Sequence, residues 1–295
     1  MTNTRKIGYT LAAGWLVVTI LLVIIFGFGH KNNTFQIQNE FKLVNWVNLG
    51  VFSINRAVVY LFLAAILTVG TMVWIAGRMQ ARPNRIQTAM EVIYSLMRDN
   101  ITRENMDDSM AARWFPFLGA LFLFIWYCNL IGYLPLPTNT EETFNVFGAH
   151  IPSFALYAAT ANISVPLVLA LVVFIAFNVV GVRAQGPVGY VKSLIPAGIS
   201  GVAAIPMGIL EGISTFMRLV SLTIRLFANI LAGHMIILFM SGGLAVILGL
   251  TFLGWAILPI GILVYMFELG LIATLQAFIF AILAAIYIGG AVTHH

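Results

Sequence analysis

The run PMGILEGISTFMRLVSLTIRLFANILAGHMIILFM, residues 206–240, decides how the rest of the chain is read. It is almost wholly apolar, yet it carries Glu211, Arg218, Arg225 and His234. A helix opened by Pro206 and ended at Ser241-Gly242-Gly243 holds ~35 residues, about 52 Å of length against a hydrocarbon core of about 30 Å. It fits a bilayer only when inclined by roughly 55°, far beyond the usual ~20°. The stretch from Leu244 to Val292, which Pro259 can kink, meets the same constraint. The expectation is a C-terminal hairpin of two long, steeply tilted helices, 206–240 and 244–292.

Outward from that hairpin, the composition agrees with a bilayer as solvent. Of 295 residues 61% are hydrophobic and 8% charged, and mean hydropathy is +0.98, a balance that excludes a water-soluble domain. The chain reads as an all-α integral membrane protein with about six membrane helices. Runs free of Asp, Glu, Lys and Arg mark spans at 8–29, 57–77, 114–134 and 163–182. Over 83–100, Pro83 opens a segment where Ile86, Met90, Ile93 and Met97 recur at helical spacing, the pattern of an amphipathic helix on the membrane surface. Residues 1–56 then form an additional N-terminal span with an external segment, and 57–295 form the core.

Several function classes fall away. Fifteen Lys and Arg against ten acids give +5 with no concentrated basic patch, which excludes nucleic acid as a partner. The single cysteine, Cys128, forms no internal disulfide or thiolate cluster. None of the four lysines follows the glycine of a P-loop, so any nucleotide chemistry belongs to another subunit, and no cofactor is expected. An intramembrane hydrolase lacks its H-E-x-x-H. A secondary ion-coupled transporter is the alternative reading, but the repeats such proteins show are not evident here, because intramembrane charge is confined to one half.

Arg78, Arg82, Arg85, Arg98, Arg103 and Arg113 crowd one connection and Arg183 and Lys192 another, whereas 135–159 carries Glu141 and Glu142 but no Lys or Arg. Basic residues are retained inside, so both termini are expected in the cytoplasm of a bacterial plasma membrane.

Ionisable side chains at membrane depth mark pathways or partners. Arg225 stays protonated at physiological pH and needs a carboxylate or water. Glu211 is fourteen residues away, roughly 21 Å along the axis. Glu268 lies on the other helix and remains open as a partner, but a carboxylate from another protein is the economical reading. Glu211, Arg218 and Arg225 fall on one helical stripe, continued by the small Ala228, Asn229 and Ala232, a surface that admits another helix. His234, nine residues beyond Arg225, faces the opposite way. Together with Glu268 and Gln276 it can hold water and pass protons. Equally, it can serve as a hydrogen bond between helices. Arg218 and Glu211 either line an aqueous exit or sit at the interface. Asn162 and Ser164 are further channel-lining candidates, whereas Asn129 and Asn178 read as ordinary interhelical bonds.

The run SLTIRLFANILAGH, residues 221–234, followed by LQAFIF, residues 275–280, closely resembles the signature stretches of subunit a of F-type ATP synthases. NLIGYLP at 129–135, Thr160-Ala161-Asn162 and Glu211-Gly212 extend the likeness from about Ser53 to the end. The resemblance implies a proton-conducting stator with no catalysis of its own. Its partners would be a rotating ring of c subunits, the b subunits of the peripheral stalk, the remaining synthase and the lipid bilayer. It assigns Arg225 to the arginine facing the ring carboxylates, between two offset half-channels. Asn229, His234 and Gln276 match channel-side positions, and Glu211 a polar site of the cytoplasmic half-channel. Relatives usually place an acid or histidine seven residues before the glutamine, here Leu269, with Glu268 one earlier and about 100° round the helix. Either the helix is distorted near Gly270 or Glu268 approaches from another angle. On that offset alone, Glu268→Gln is expected to slow conduction less than His234→Ala. Where relatives often have an acid, this chain has Asn162.

Overall fold

Of the charge-free runs of the sequence, helix covers 57–77 whole and 8–26, 114–132 and 164–182 of the others in a computed structural model, which describes residues 2–26, 45–49, 52–78, 84–146, 149–193, 204–240 and 251–293. Helix α1 covers Thr2–Phe26, α2 Arg56–Arg78 and α3 Arg85–Ser95, the last continuing as a π-helical segment Leu96–Arg103. Then come α4 (Asp108–Gly132), α5 (Ser164–Ser193), α6 (Ala204–Leu238) and α7 (Thr251–Phe267). A π turn at Glu268–Ile272 joins α7 to α8 (Ala273–Thr293). Among the described residues, five helical stretches are long and apolar enough to cross a membrane, including Ala204–Leu238 with 35 residues and Ala256–Val292 with 37. Within α1 the apolar run is the shorter Gly8–Leu21. Residues 27–29, Pro83, the Ser241-Gly242-Gly243 break and 244–250 lie outside the described residues.

The membrane part is all α, as the composition requires, but the connections add two β-hairpins that a search for apolar runs passes over. Asn45–Leu49 pairs antiparallel with Phe52–Asn55, and Leu136–Val146 with Ala149–Ala155. The second lies in the connection bearing Glu141 and Glu142. The helices also overrun the spans read from charge: α4 begins at Asp108 rather than Trp114, and α5 continues to Ser193 rather than stopping at Val182. Charges limit how much of a helix lies in hydrocarbon, whereas caps and glycines limit the helix itself. Asn55 Oδ1 accepts the Val58 N–H at the start of α2, and Asn162 Oδ1 accepts the Ser164 N–H before α5. Arg56, the first residue of α2, is buried with its guanidinium 4.4 Å from the Tyr157 ring centroid.

Gly186 interrupts α5 with φ 74° and ψ 162°, a conformation essentially reserved for glycine, and Pro187 follows it. Gly186→Ala is therefore expected to destabilise the protein by about 1–2 kcal/mol, seen as a lower thermal midpoint in detergent.

Packing is centred on α8, which lies along α4 and α5, while α6 lies along α5. The face of α8 turned inward is mostly small: Ala277, Ala281, Ala284 and Ala285 are fully buried beside Phe280 and Ile288. With no hydrophobic drive between helices in lipid, such residues gain dispersion by letting backbones approach. Helix α6 contributes Leu222, Leu226 and Ile230 to the same core and leaves Ile213, Phe216, Met217 and Ile224 exposed on its other side. The amphipathic segment is a single helical rod from Arg85, with Met97 and Ile101 buried against this core.

Candidate functional site

Two faces of α6 carry the polar groups, and they differ in kind. Arg225 is exposed on the outer face, together with Ala228 and Ala232. It belongs to none of the ion pairs among the described residues. Both acids of the hairpin are engaged elsewhere. Glu211 Oε1 lies 3.4 Å from Arg218 Nη2, and the Arg218 guanidinium sits 5.4 Å from the Tyr287 ring centroid on α8. Arg218 is thus an internally paired, half-buried cation, and Arg225 is left as an exposed one in an apolar surface.

The inward face of α6 holds His234, 2% exposed. Its Nδ1 lies 3.1 Å from the Ile230 carbonyl oxygen and its Nε2 3.1 Å from the Gly132 carbonyl oxygen at the end of α4. A neutral imidazole has one N–H and can serve only one of these acceptors; an imidazolium serves both. The interhelical bond anticipated as the plainer role is therefore present, and it leaves an acceptor in place for a second proton.

Glu268, 8% exposed, sits at the α7–α8 junction. Tyr133 donates its hydroxyl to Glu268 Oε2 at 3.2 Å, while the Tyr133 ring lies 4.6 Å from the imidazole of His234 with a 30° tilt. Tyr265 in turn donates to the Tyr133 carbonyl oxygen. Gly233, next to His234, faces the carboxyl: a Cβ there would overlap Glu268 Oε2 and stand 2.7 Å from its Cδ. One turn beyond Arg225, Asn229 donates its Nδ2 to Gln276 Oε1 at 2.9 Å, joining α6 to α8. Gln276 is itself 2% exposed.

Of the residues singled out in the sequence, Asn229 and Gln276 form one polar link beside Arg225, and His234 and Glu268 meet on Tyr133. Glu211 and Arg218 pair further toward the start of α6. The local distortion weighed for Glu268 is present, as the π turn beginning at that residue. Asn162 is spent on the cap of α5, with Ser164 exposed beside it. Asn129 bonds the Ala273 carbonyl and Thr160, and Asn178 the Phe174 carbonyl and Tyr190, which are ordinary packing bonds. Tyr133 and Tyr265 are members of the site that the sequence reading does not single out. A signal for Tyr133 exists, since a tyrosine buried in a membrane helix bundle needs a partner for its hydroxyl.

The profile of the ATP synthase A chain family matches residues 58–289. A protein named ATP synthase subunit a from Frankia alni is 33% identical over 266 residues, 87% of this chain and 85% of its own length. One of the same name from Parvibaculum lavamentivorans is 33% identical over 210 residues, 70% and 72% of the two chains. Another from Anaeromyxobacter dehalogenans is 30% identical over 244 residues, 82% of this chain and 58% of its own length.

Proposed function

This chain belongs to the ATP synthase A chain family, the proton-conducting membrane subunit of F-type ATP synthases, and we propose that it conducts through two offset half-channels kept apart by Arg225. The observation that carries this reading is the exposed guanidinium in an apolar face, with both hairpin acids engaged by other groups. A fixed charge at membrane depth requires a counter-ion, and one supplied by a neighbouring helix can come and go. The fitting partner is a ring of c subunits, each bringing one carboxyl past Arg225. A protonated ring carboxyl is neutral and can travel through lipid. Beside the guanidinium the carboxylate is favoured, so the proton must leave before the site passes. Protons entering on one side and leaving on the other then turn the ring nearly a full revolution, and nucleotide chemistry stays in other subunits.

In this reading His234, Glu268, Gln276 and Asn229 serve the external half-channel, and Glu211 with Arg218 the cytoplasmic one. The long helices α6 and α7–α8 lie inclined along the ring, the b subunits brace the outside, and both termini lie on the cytoplasmic side of a bacterial plasma membrane. The test is proximity. Ala228→Cys and Ala232→Cys, on the open stripe, are expected to form disulfides with a cysteine placed beside the ring carboxyl, whereas Leu222→Cys, buried in the core, does not. Failure of both stripe positions to cross-link in the assembled synthase would refute the docking.

A further inference from the structure

Glu268 and Gln276 are eight residues apart, and in an unbroken α-helix that separation points their side chains about 80° apart, against about 20° for seven residues. The π turn removes the discrepancy, because such a turn accommodates one extra residue while the flanking helix keeps its course. Its signature bond runs from the Ala273 N–H to the Glu268 carbonyl oxygen, five residues back. Helix α4 pins the first turn of α8: Asn129 Nδ2 donates to the Ala273 carbonyl at 3.3 Å and Trp126 Nε1 to Thr274 Oγ1 at 3.0 Å. With that turn fixed, the extra residue is absorbed ahead of it, and Glu268 swings toward Gly233. Leu269 instead packs with Tyr133, Ile237 and Ala273 in an apolar cluster.

We propose that the π turn at Glu268–Ile272 and Tyr133 form a register device, the turn aiming the Glu268 carboxyl at the His234 side of α6 and the Tyr133 hydroxyl holding it there. Tyr133 is a positioning residue. It is itself held on three sides, by Glu268, by the imidazole and by Tyr265. The inference rests on the reading of Glu268 as part of the proton path.

The experiment uses the complete synthase in membrane vesicles, comparing passive and ATP-driven proton movement at equal subunit content. Glu268→Gln tests the underlying reading, and an undiminished rate there would remove Glu268 from the path. The exchange Glu268→Leu with Leu269→Glu restores the spacing of seven but puts the acid into the apolar cluster. It is expected to conduct at least tenfold more slowly than the parent. Deleting Gly270, which turns the π segment into α-helix behind an unmoved Glu268, is expected to conduct several-fold faster than that exchange. Tyr133→Phe keeps the ring and is expected to displace the pH of half-maximal conduction by at least about half a unit, because the carboxyl loses a donor. Where Glu268→Gln blocks, an exchange variant as active as the parent, or a deletion as slow as the exchange, overturns the register role. An unchanged pH profile in Tyr133→Phe overturns the part given to the tyrosine, whether or not the deletion folds.

Discussion

Arg225→Ala is expected to abolish ATP synthesis driven by a proton gradient, with the chain still inserted and assembled. The side chain is exposed, so its loss opens no cavity in the core formed by Leu222, Leu226 and Ile230. Its attraction for a carboxylate about 4 Å away is on the order of 4 kcal/mol at an effective dielectric near 20, enough to change occupancy of the charged state about a thousandfold. Without it a protonated ring site has no reason to discharge at the stator, and the two half-channels are no longer kept apart. Synthesis in energised vesicles should fall at least a hundredfold, while ATP hydrolysis by the head persists. Arg225→Lys should recover little, since an ammonium offers a strongly hydrated point charge in place of a planar fork. Full synthesis by Arg225→Ala would remove the basis of the proposed mechanism.

The parts of this protein that are legible in its sequence are those set by bulk solvation. A run such as Ala57 to Gly77 has nowhere to go but hydrocarbon, and α2 covers it. The same physics singles out Arg225, because a charge inside an apolar run is visible in the run itself and demands a counter-ion or water whatever the fold around it. Residues whose role depends on exact direction are harder. Glu268 counted along an ideal helix falls about 80° from Gln276, and a π turn, which has no clear sequence signature, takes up the extra residue. Tyr133 looks like one more aromatic at a helix end, since its partners Glu268 and Tyr265 lie more than a hundred residues away. The two β-hairpins among the described residues escape for another reason: they sit in connections between the charge-free runs, and a strand as short as Phe52–Asn55 has only four residues in which alternation can show.

The π turn also changes an expectation. Counting residues predicts a smaller loss for Glu268→Gln than for His234→Ala, but the carboxyl and the imidazole sit on the two sides of Tyr133, one by hydrogen bond and one by ring contact. Two groups that pass protons through one junction act in series, and removing either leaves the same gap. Proton pumping by both variants is thus expected to fall by a similar factor, on the order of tenfold to a hundredfold. The paired variant should be scarcely slower than each single one, as for residues that act as a unit. Gly233→Val should join them although it removes no titratable group, because its side chain takes the space the Glu268 carboxyl occupies. Losses that multiply in the double variant would place His234 and Glu268 on separate routes, and a Gly233→Val synthase pumping at the parental rate would show that the carboxyl works from some other position.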